Sequence, residues 1–423
     1  MRCHLLNGKR IDHEMELESI VNALNKNSKE FRRMPIGDIV AILDYLGRDL
    51  IKDPECQTLD GISYISMWLR RSNLERVLKT EYDDPAVLDG FIPSEGMRIK
   101  AQPRGLACHW VANNVTTLGI FSVLLAILSK NSSLVKASLI NKDHLLKILA
   151  KLDEVRCEKD GRSLSGAVIA ASVAVVTFEG RDINSSSKFS QVADIKVVWG
   201  GAESVAAISS LPSRSSCELI LFGPKYSLGV MDREFSQQKD LALKLRPFAR
   251  DVMLFDQMAC SSPQVLFVEK GGRDLNEVAA ALKEAFQSQR GITIGGMAED
   301  ICAKVINARG RYLLDVDRNV VSSHDLSWTI LIDNEDSFPD PVHGRCLFLR
   351  SVDDLDRVSA QITHNVQAVE LLFTDEEKMI KFSDKATAVG ADRIILSGGA
   401  HDFSLPWDGM KVLNRMVRWV TIR

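Results

Sequence analysis

The sequence predicts an α/β protein with parallel, doubly wound sheets in two domains. From about residue 90 onward, short β-branched and apolar runs alternate with longer helical stretches, which is typical of parallel sheets covered by helices. This alternation occurs in two successive series. A length of 423 residues also exceeds the size at which a single hydrophobic core stops growing, so at least two domains are expected.

The first ninety residues show a different pattern from the rest of the chain. Apolar residues three and four positions apart predict helices over 14–24 and 36–46. We interpret their apolar faces as core-packing surfaces, although a docking surface for a partner has the same spacing. Helix-breaking residues at 89–96 end this pattern. Residues 1–90 are therefore predicted to form a helical N-terminal region packed on the domain that follows.

The remainder is predicted to divide near residues 229–233, where strand-like sequence gives way to a charged helix over 235–245. This boundary gives two α/β domains, 91–230 and 231–423, the second ending in a C-terminal tail. The first is predicted to contain strands over 133–136, 173–177, 195–199 and 219–222 and helices over 120–128 and 142–152. The second is predicted to contain strands over 265–269, 312–316, 328–333, 346–349 and 369–373 and helices over 275–286 and 354–362.

Composition excludes several classes of function. A net charge of −3 with dispersed Lys and Arg gives no reason to expect a nucleic-acid partner. The eight cysteines lack C-x-x-C spacing, and no histidine pair has metal-ligand spacing, so neither disulfides nor a metal site is predicted. The N-terminus lacks the apolar core of a signal peptide, and the most apolar stretch, 115–128, is shorter than the roughly 20 residues a membrane helix needs. We therefore expect a cytoplasmic protein without a membrane span.

One cysteine, Cys260, lies on a short turn of small residues just before a predicted strand. Such a turn holds a nucleophile rigidly and leaves it accessible. A thiol has a free pKa of about 8.5, so it is partly ionised near neutral pH and is able to attack a carbonyl. A cysteine taken at random is more often a buried structural residue. The surrounding sequence, Asp-Gln-Met-Ala-Cys-Ser-Ser-Pro-Gln from Asp256 to Gln264 with Phe267-Val268 downstream, favours the nucleophile.

This segment resembles the nucleophile motif of the aldehyde dehydrogenase superfamily, with one residue fewer between the Gln and the Cys. A second resemblance covers Trp110 to Asn114 and Lys130 to Ser138, where Asn113 and Lys136 stand 23 residues apart, as they do in that superfamily. Within it, the chain is most similar to the LuxC-type acyl-CoA (fatty acyl) reductases from about residue 90 onward. The residues that carry this likeness are those around Cys260, Pro103-Arg104-Gly105, His109 to Asn114, Trp407-Asp408-Gly409 and Met416 to Val420.

The resemblance implies an aldehyde-dehydrogenase-like fold, in which a Rossmann-type NADP-binding domain is followed by an α/β catalytic domain. By position, Lys136 and Ser138 are implied to hold the adenosine ribose. The turn Gly200-Gly201-Ala202 follows a strand and opens a helix, so its amides suit a pyrophosphate, although an ordinary turn has the same sequence. NADPH is favoured over NADH because the Lys136 ammonium offsets the charge of a 2′-phosphate.

The resemblance also implies the reaction. Hydrolytic aldehyde dehydrogenases activate water with a glutamate where this chain has Leu221, so a thioester reductase is predicted rather than an aldehyde oxidase. Cys260 is implied to form an acyl-enzyme. The Asn113 amide and the Cys260 N–H are implied to stabilise the oxyanion, with Asn114 as a rival to Asn113. NADPH-dependent reduction then releases an aldehyde, most simply a fatty aldehyde.

Two other functions fit the same residues. One is a CoA-acylating aldehyde dehydrogenase acting on shorter aldehydes, and the other is a scaffold subunit that accepts an acyl group on Cys260 without reducing it. The acyl donor is an acyl-CoA or an acyl-protein thioester, and the resemblance suggests an acyl-protein synthetase partner and a homo-oligomer. The sequence leaves the roles of two histidines open. His109 either lines the site or belongs to the core, and His401 approaches either the active site or an oligomer contact.

Overall fold

The computed structural model describes residues 1–59, 61–112, 117–289 and 297–423. The chain forms two compact units, one made of residues 1–223 together with 404–423, the other of residues 224–403. The division therefore falls at Gly223–Pro224, and the last twenty residues return to the first unit, whereas the sequence placed a boundary near 230 and the tail with the second domain.

The first unit contains the helices and strands that precede the division. Its strands are β1 (Arg2–Leu6), β2 (Lys9–Glu14), β3 (Ile92–Ser94), β4 (Met97–Pro103), β5 (Leu106–Trp110), β6 (Ser132–Lys136), β7 (Arg156–Lys159), β8 (Arg162–Ser165), β9 (Val173–Thr177), β10 (Ile195–Trp199) and β11 (Glu218–Phe222). Its helices are α1 (Leu17–Arg33), α2 (Ile36–Leu50), α3 (Pro54–Gln57), α4 (Ile62–Trp68), α5 (Arg71–Tyr82), α6 (Thr117–Leu128), α7 (Lys142–Glu154), α8 (Ala167–Ala170), α9 (Ile183–Gln191) and α10 (Ala202–Ser209), with a 3₁₀ turn at Pro85–Leu88.

The second unit holds the next series. Its strands are β12 (Tyr226–Met231), β13 (Pro263–Glu269), β14 (Asn319–Ser322), β15 (Thr329–Asp333), β16 (Cys346–Val352), β17 (Val366–Leu372) and β18 (Arg393–Leu396). Its helices are α11 (Arg233–Ser236), α12 (Leu241–Lys244), α13 (Arg246–Met253), α14 (Leu275–Gln287), α15 (Glu299–Leu313), α16 (Leu355–Gln361) and α17 (Glu376–Val389), with a 3₁₀ turn at Leu254–Gln257. The first unit then resumes with α18 (Val412–Arg415) and β19 (Val417–Ile422).

The main sheet of the first unit has the strand order β11-β10-β5-β6-β9-β1-β2. The five strands from β11 to β9 are parallel, and β1 and β2 extend the sheet in antiparallel fashion. The chain fills β5, β6 and β9 in one direction and then returns to place β10 on the other side of β5. This reversal creates a crevice at the carboxyl ends of β5 and β10, the position where open α/β sheets bind ligands.

The main sheet of the second unit has the order β14-β15-β16-β13-β12-β17-β18 and is parallel except for β14. Its central strands are buried along their whole length, as expected when helices cover both faces. Two apolar clusters, one on each face, form the core of this unit.

The predicted α/β fold class is confirmed, and most predicted strands lie within two or three residues of the observed ones. The strand predicted over 312–316 is wrong, because Tyr312 and Leu313 end α15 and the following residues form an exposed turn. The charged helix predicted over 235–245 is two short helices, α11 and α12. The N-terminal region is not purely helical, since β1 and β2 join the main sheet.

The helix predicted over 120–128, in the most apolar stretch of the sequence, is α6, whose residues are almost all buried. Packing on all sides explains why this helix lacks an amphipathic pattern. Within the described ranges, no helix combines the length and the apolar character needed to cross a membrane.

Candidate active site

The turn that carries Cys260 begins with an unusual backbone. Phe255, Asp256 and Gln257 have φ values of 55°, 52° and 61°, although none of them is glycine. Each such residue costs roughly 1–2 kcal/mol, so a run of three persists only where its surroundings fix it. The run reverses the chain between the end of α13 and the start of β13.

A second left-handed run packs against the first. His343, Gly344 and Arg345 also have positive φ, and they precede β16 directly. The Gly344 N–H donates to the carbonyl of Asp256 at 2.9 Å, and His343 Nδ1 donates to the carbonyl of Gln257 at 3.1 Å. The second run thus donates hydrogen bonds to two carbonyl groups of the first. These contacts explain how the strained backbone of both runs is held in place.

The Gln257 side chain ties the reversal to two strands. It is fully buried; its Oε1 accepts from the Cys346 N–H at 2.7 Å and its Nε2 donates to the Pro263 carbonyl at 2.7 Å. These partners begin the adjacent strands β16 and β13. Only an amide supplies both an acceptor and a donor in this geometry, because a carboxylate lacks the donor.

Asp256 adds an ionic contact to the same region. Arg345 Nε and one terminal guanidinium nitrogen lie 2.9 Å and 2.6 Å from Asp256 Oδ1. Arg345 is buried, so the carboxylate compensates a charge that would otherwise be costly inside the protein. The Asp-Gln pair that precedes Cys260 in sequence is therefore the support on which the turn is built.

Cys260 is an accessible residue of this turn. It is partly exposed, whereas Ala259 and Ser261 on either side are buried. Its carbonyl accepts a hydrogen bond from Ser227 Oγ, on β12, at 2.7 Å. The backbone of Cys260 is therefore fixed by a neighbouring strand, while the residue itself stays partly exposed.

His401 contacts the residue next to Cys260. Its Nδ1 lies 3.0 Å from Ser261 Oγ, its Nε2 lies 2.8 Å from the Asp251 carbonyl, and its ring packs edge-on against Phe255. Burial lowers the pKa of His401 to about 4, so the ring is neutral near pH 7. Of the two roles that the sequence left open for His401, the structure places it against the Cys260 turn.

The residues predicted to hold a cofactor lie together at one edge of the first unit's sheet. β5 and β6 are in register with Trp110 opposite Lys136, so both strands end at the same level, and β10 ends beside them at Trp199. Lys136, Ser138 and the Gly200–Ala202 turn therefore all follow carboxyl strand ends around the crevice between β5 and β10.

Lys136 is half-buried at the end of β6. Its Nζ lies 5.6 Å from the centre of the Phe178 ring, and among the described residues it has no ion pair. Burial lowers its pKa from the usual value for lysine. A partly buried ammonium without a carboxylate partner is a position at which an anionic ligand is favourable.

Ser138 begins the turn that leads into α7. Its Oγ accepts from the Asn141 N–H at 3.2 Å, and its own N–H donates to Asn141 Oδ1 at 2.9 Å. Asn141 Nδ2 also donates to the Ala112 carbonyl at 3.0 Å, which joins this turn to the residues after β5. The Ser138 hydroxyl thus already has one local role, and its remaining hydrogen-bonding capacity is what a ligand would use.

The Gly200–Ala202 turn leaves the start of α10 open to solvent. Gly201 precedes the helix with φ −68° and ψ 167°, and no side chain caps the helix. An added Cβ at Gly201 would meet nothing within 4 Å, and Ala202 through Ser204 are exposed. The first amides of α10 are therefore accessible to a phosphate group.

Four further residues from the sequence analysis lie elsewhere in the chain. Asn113 and its rival Asn114 lie outside the described residues. His109 is a core residue: it is fully buried between Ser122 and Ser133, and burial lowers its pKa to about 3. Leu221 lies on β11, where it packs against the apolar core of the first unit.

Two residues around Cys260 carried no signal in the sequence. Ser227 and Arg345 lie 33 and 85 positions away along the chain, and each occurs in an unremarkable local context. They reach the turn because parallel pairing brings the starts of β12, β13 and β16 to a common edge. The D-Q-x-A-C-S-S-P-Q motif was the one local signal available.

Comparison with known proteins gives the family. The sequence pattern of the acyl-CoA reductase (LuxC) family matches residues 13–419. The chain belongs to this family. The likeness predicted from the motifs is thereby confirmed, and this LuxC-type chain is an enzyme, an oxidoreductase that acts on acyl groups.

Curated relatives of this LuxC-type reductase match along nearly its whole length. The long-chain acyl-protein thioester reductase of Photobacterium phosphoreum is 24% identical over 98% of this chain and 83% of its own. The protein of the same name from Photorhabdus luminescens is 25% identical over 97% of this chain and 83% of its own.

Solved structures confirm the aldehyde-dehydrogenase-like fold. The NADP-dependent glyceraldehyde-3-phosphate dehydrogenase of Bacillus halodurans C-125, complexed with NADP, has a TM-score of 0.68 at 13% identity and covers 99% of this chain and 94% of its own. Aldehyde dehydrogenase 21 of Physcomitrella patens has a TM-score of 0.67 at 13% identity and covers 100% of this chain and 97% of its own.

Proposed function

We propose that this protein reduces a long-chain acyl thioester to the free aldehyde with NADPH, through an acyl-enzyme on Cys260. The observation that carries the proposal is the Cys260 turn, in which one accessible cysteine stands between buried neighbours on a backbone fixed by Gln257, Ser227 and Arg345. Rigid presentation of a thiol is what acyl transfer requires.

In the proposed first step, the Cys260 thiolate attacks the thioester carbonyl. A new bond forms between Cys260 Sγ and the acyl carbon, and the bond to the carrier sulfur breaks, so the carrier leaves as a thiol after taking up a proton. The negative charge that develops on the carbonyl oxygen is assigned to the Cys260 N–H and the Asn113 side-chain amide. A single oxyanion donor of this kind is worth about 3–4 kcal/mol in comparable enzymes.

Water is not activated at the proposed acyl-enzyme. Leu221 occupies the sequence position of the base that hydrolytic aldehyde dehydrogenases use, and a leucine side chain cannot accept a proton. The thioester therefore persists long enough to be reduced. The absence of a base at position 221 favours release of an aldehyde over release of a carboxylic acid.

The crevice of the first unit suits a nicotinamide dinucleotide. The half-buried Lys136 ammonium, the Ser138 hydroxyl and the amides at Gly201 and Ala202 together offer a cation, a hydroxyl and a helix start to phosphate groups. The Gly200 N–H donates to the Phe222 carbonyl at 3.2 Å, so Gly200 shapes the turn without offering its amide. When bound, such a cofactor supplies the hydride that reduces the acyl group. We assign NADPH rather than NADH because Lys136 is available to pair with a 2′-phosphate.

The relatives named long-chain acyl-protein thioester reductase favour a long acyl chain and a protein-bound donor. An acyl-protein synthetase is the corresponding partner, with acyl-CoA as the small-molecule donor of the same chemistry. We also propose a homo-oligomer located in the cytoplasm.

The test measures NADPH oxidation by absorbance with acyl-CoA of increasing chain length and with an acylated protein donor, while the aldehyde is trapped as a hydrazone. Aldehyde should match NADPH consumed, with a preference for long chains. Cys260→Ala should lose at least about a thousandfold, since removing a covalent nucleophile abolishes the acyl-enzyme route.

Cys157→Ala is the matched control, because Cys157 is another partly exposed cysteine and lies on β7 of the first unit, whereas Cys260 belongs to the second. Its turnover should equal that of the wild type. Acylation of Cys260 without any aldehyde would instead identify a scaffold subunit, and turnover limited to short aldehydes with free CoA would identify the acylating dehydrogenase.

A further inference from the structure

We infer that His401 is a positioning residue for acyl transfer, acting through its hydrogen bond to the Ser261 hydroxyl beside Cys260. This inference rests on the proposed role of Cys260 as nucleophile. It assigns a function to a buried histidine 141 positions away in the sequence.

The bonding of the ring fixes its tautomer. The partner of His401 Nε2 is the Asp251 carbonyl, which only accepts, so Nε2 carries the hydrogen. Burial lowers the pKa of the ring to about 4, which leaves Nδ1 without a proton near neutral pH. Ser261 Oγ must therefore donate to Nδ1, and the direction of this hydrogen bond is set by the protein.

The same bonding excludes an acid-base role for His401. Its one N–H is committed to the Asp251 carbonyl, and its one lone pair is committed to Ser261. The ring has no group left to exchange a proton with a substrate at neutral pH. Its contribution is to the placement of Ser261 and, through the peptide bond, to the placement of Cys260.

The loop that carries His401 is itself firmly held. The Ala400 N–H donates to Asp251 Oδ2 at 2.8 Å, and the Gly398 N–H donates to Glu370 Oε1 at 3.0 Å. Both carboxyl groups are buried, and burial raises the pKa of each. The histidine thus stands on a loop fixed at two points, which makes it a rigid support.

Cys260 is consequently held from two directions. Ser227 Oγ fixes its carbonyl, and His401 fixes the hydroxyl of the next residue. Removing the second contact leaves the first in place, so the turn should stay folded while the sulfur samples a wider range of positions. A displacement of about 1 Å at a reacting atom is enough to slow a reaction by roughly a hundredfold.

The experiment follows acylation alone. Full-length protein without nucleotide is mixed with long-chain acyl-CoA and quenched at intervals. The mass of the intact protein is then measured by mass spectrometry. Ser261→Ala and His401→Ala should each slow acylation of Cys260 roughly ten- to a hundredfold, and the double variant should be no slower than either, because both changes remove the same hydrogen bond. His401→Asn should recover part of the rate, since its Oδ1 replaces Nδ1 as the acceptor.

Two readouts separate positioning from general damage to the fold. NADPH affinity, measured by fluorescence titration, should be unchanged in every variant, and His364→Ala, an exposed histidine of the same unit, should acylate at the wild-type rate. If His401→Ala fails to fold, Ser261→Ala decides the question, because it removes a single oxygen atom.

Acylation of folded Ser261→Ala at the wild-type rate would overturn this inference and leave the proposed function intact. A wild-type protein that is not acylated on Cys260 by either acyl-CoA or an acyl-protein donor would overturn the proposed function, and this inference with it.

Discussion

One side chain is decisive at each of the two proposed sites, the Cys260 turn and the cofactor crevice. In the second unit, the Gln257 amide uses its donor and its acceptor to hold a left-handed run that three non-glycine residues would not adopt alone. In the first unit, Lys136 is held half-buried against Phe178 without a carboxylate partner among the described residues. Gln257 uses its polar atoms to hold the backbone, whereas the charge of Lys136 stays available for a ligand.

Lys136→Ala should distinguish NADPH from NADH. If its ammonium pairs with the 2′-phosphate, the KM for NADPH should rise about ten- to a hundredfold, because a charge-assisted hydrogen bond is worth roughly 1.5–3 kcal/mol. The KM for NADH should change little. Steady-state kinetics with both cofactors measure the two values directly.

The control for Lys136 is Lys147→Ala, a partly exposed lysine on α7 of the same unit. It should leave both KM values unchanged. An equal loss with NADH and NADPH in Lys136→Ala would show that the ammonium binds a group common to both cofactors, and the assignment of NADPH would then lose its support.

At the scale of elements, helices and strands are joined by buried polar groups as well as by apolar packing. The end of α5 is an example: Glu81 Oε2 accepts from the Asn414 N–H at 3.1 Å, and Tyr82 donates to the Leu413 carbonyl at 2.8 Å. Both partners belong to α18, which is more than 300 residues away along the chain. Burial raises the pKa of Glu81 to about 6.

Glu81 should make the stability of the first unit depend on pH. A carboxyl with a pKa near 6 when folded and about 4.3 when unfolded stabilises the fold fully below pH 4.3 and loses that contribution as the pH rises through 6. Glu81→Gln removes this titration, so the stability of the variant relative to the wild type should rise by about 2 kcal/mol between pH 4.5 and pH 7.5.

Urea unfolding of both proteins across this range measures the difference. Glu75→Gln, at an exposed glutamate on the same helix, is the matched control for the change of residue type. A constant difference for Glu81→Gln would mean that the buried carboxyl keeps an ordinary pKa.

How far the sequence predicts an element depends on whether its signal is local. β9 and β10 are rich in β-branched residues and buried on both faces, and their predicted bounds agree with the structure to the residue. The strand predicted over 312–316 fails because Tyr312 and Leu313 continue the helical spacing of α15, which the short apolar run obscured. β2 is almost entirely polar and exposed, and its identity as a strand comes only from pairing with β1.

The active-site turn shows the same limit. Cys260 and the residues beside it were identified from a local motif, and the structure places them on one turn. Arg345 and Ser227 were not, because each reaches the turn through the order of strands in the sheet, which no short stretch of sequence encodes. For His401 the sequence left two roles open, and the fold was needed to place it against the turn. Local chemistry was predictable, whereas its supports required the fold.

At the scale of the whole molecule, the first unit closes only when the chain returns to it. After the second unit, residues 404–423 supply α18 and β19, and every residue of β19 pairs with β4. Trp407, Val412 and Leu413 are buried in the first unit. Folding of the unit that contains the proposed cofactor crevice therefore depends on the last twenty residues.

Asn131 is the residue that makes this closure testable. It is fully buried; its Oδ1 accepts from the Gly105 N–H at 2.8 Å, and its Nδ2 donates to the Met416 carbonyl at 3.0 Å. One side chain thus joins the turn between β4 and β5 to the returning C-terminal segment. Asn131→Ala leaves both buried backbone groups without these partners, which should cost about 2–4 kcal/mol.

The first effect of Asn131→Ala should be confined to the first unit. Hydrogen exchange read by mass spectrometry should show faster exchange over 97–103 and 417–422 in Asn131→Ala than in the wild type, with exchange in the second unit unchanged, because only contacts inside the first unit are removed. Asn22→Ala, an exposed asparagine on α1, should exchange like the wild type throughout. Unaltered exchange over both strands in Asn131→Ala would mean that apolar burial alone holds the C-terminal segment in place.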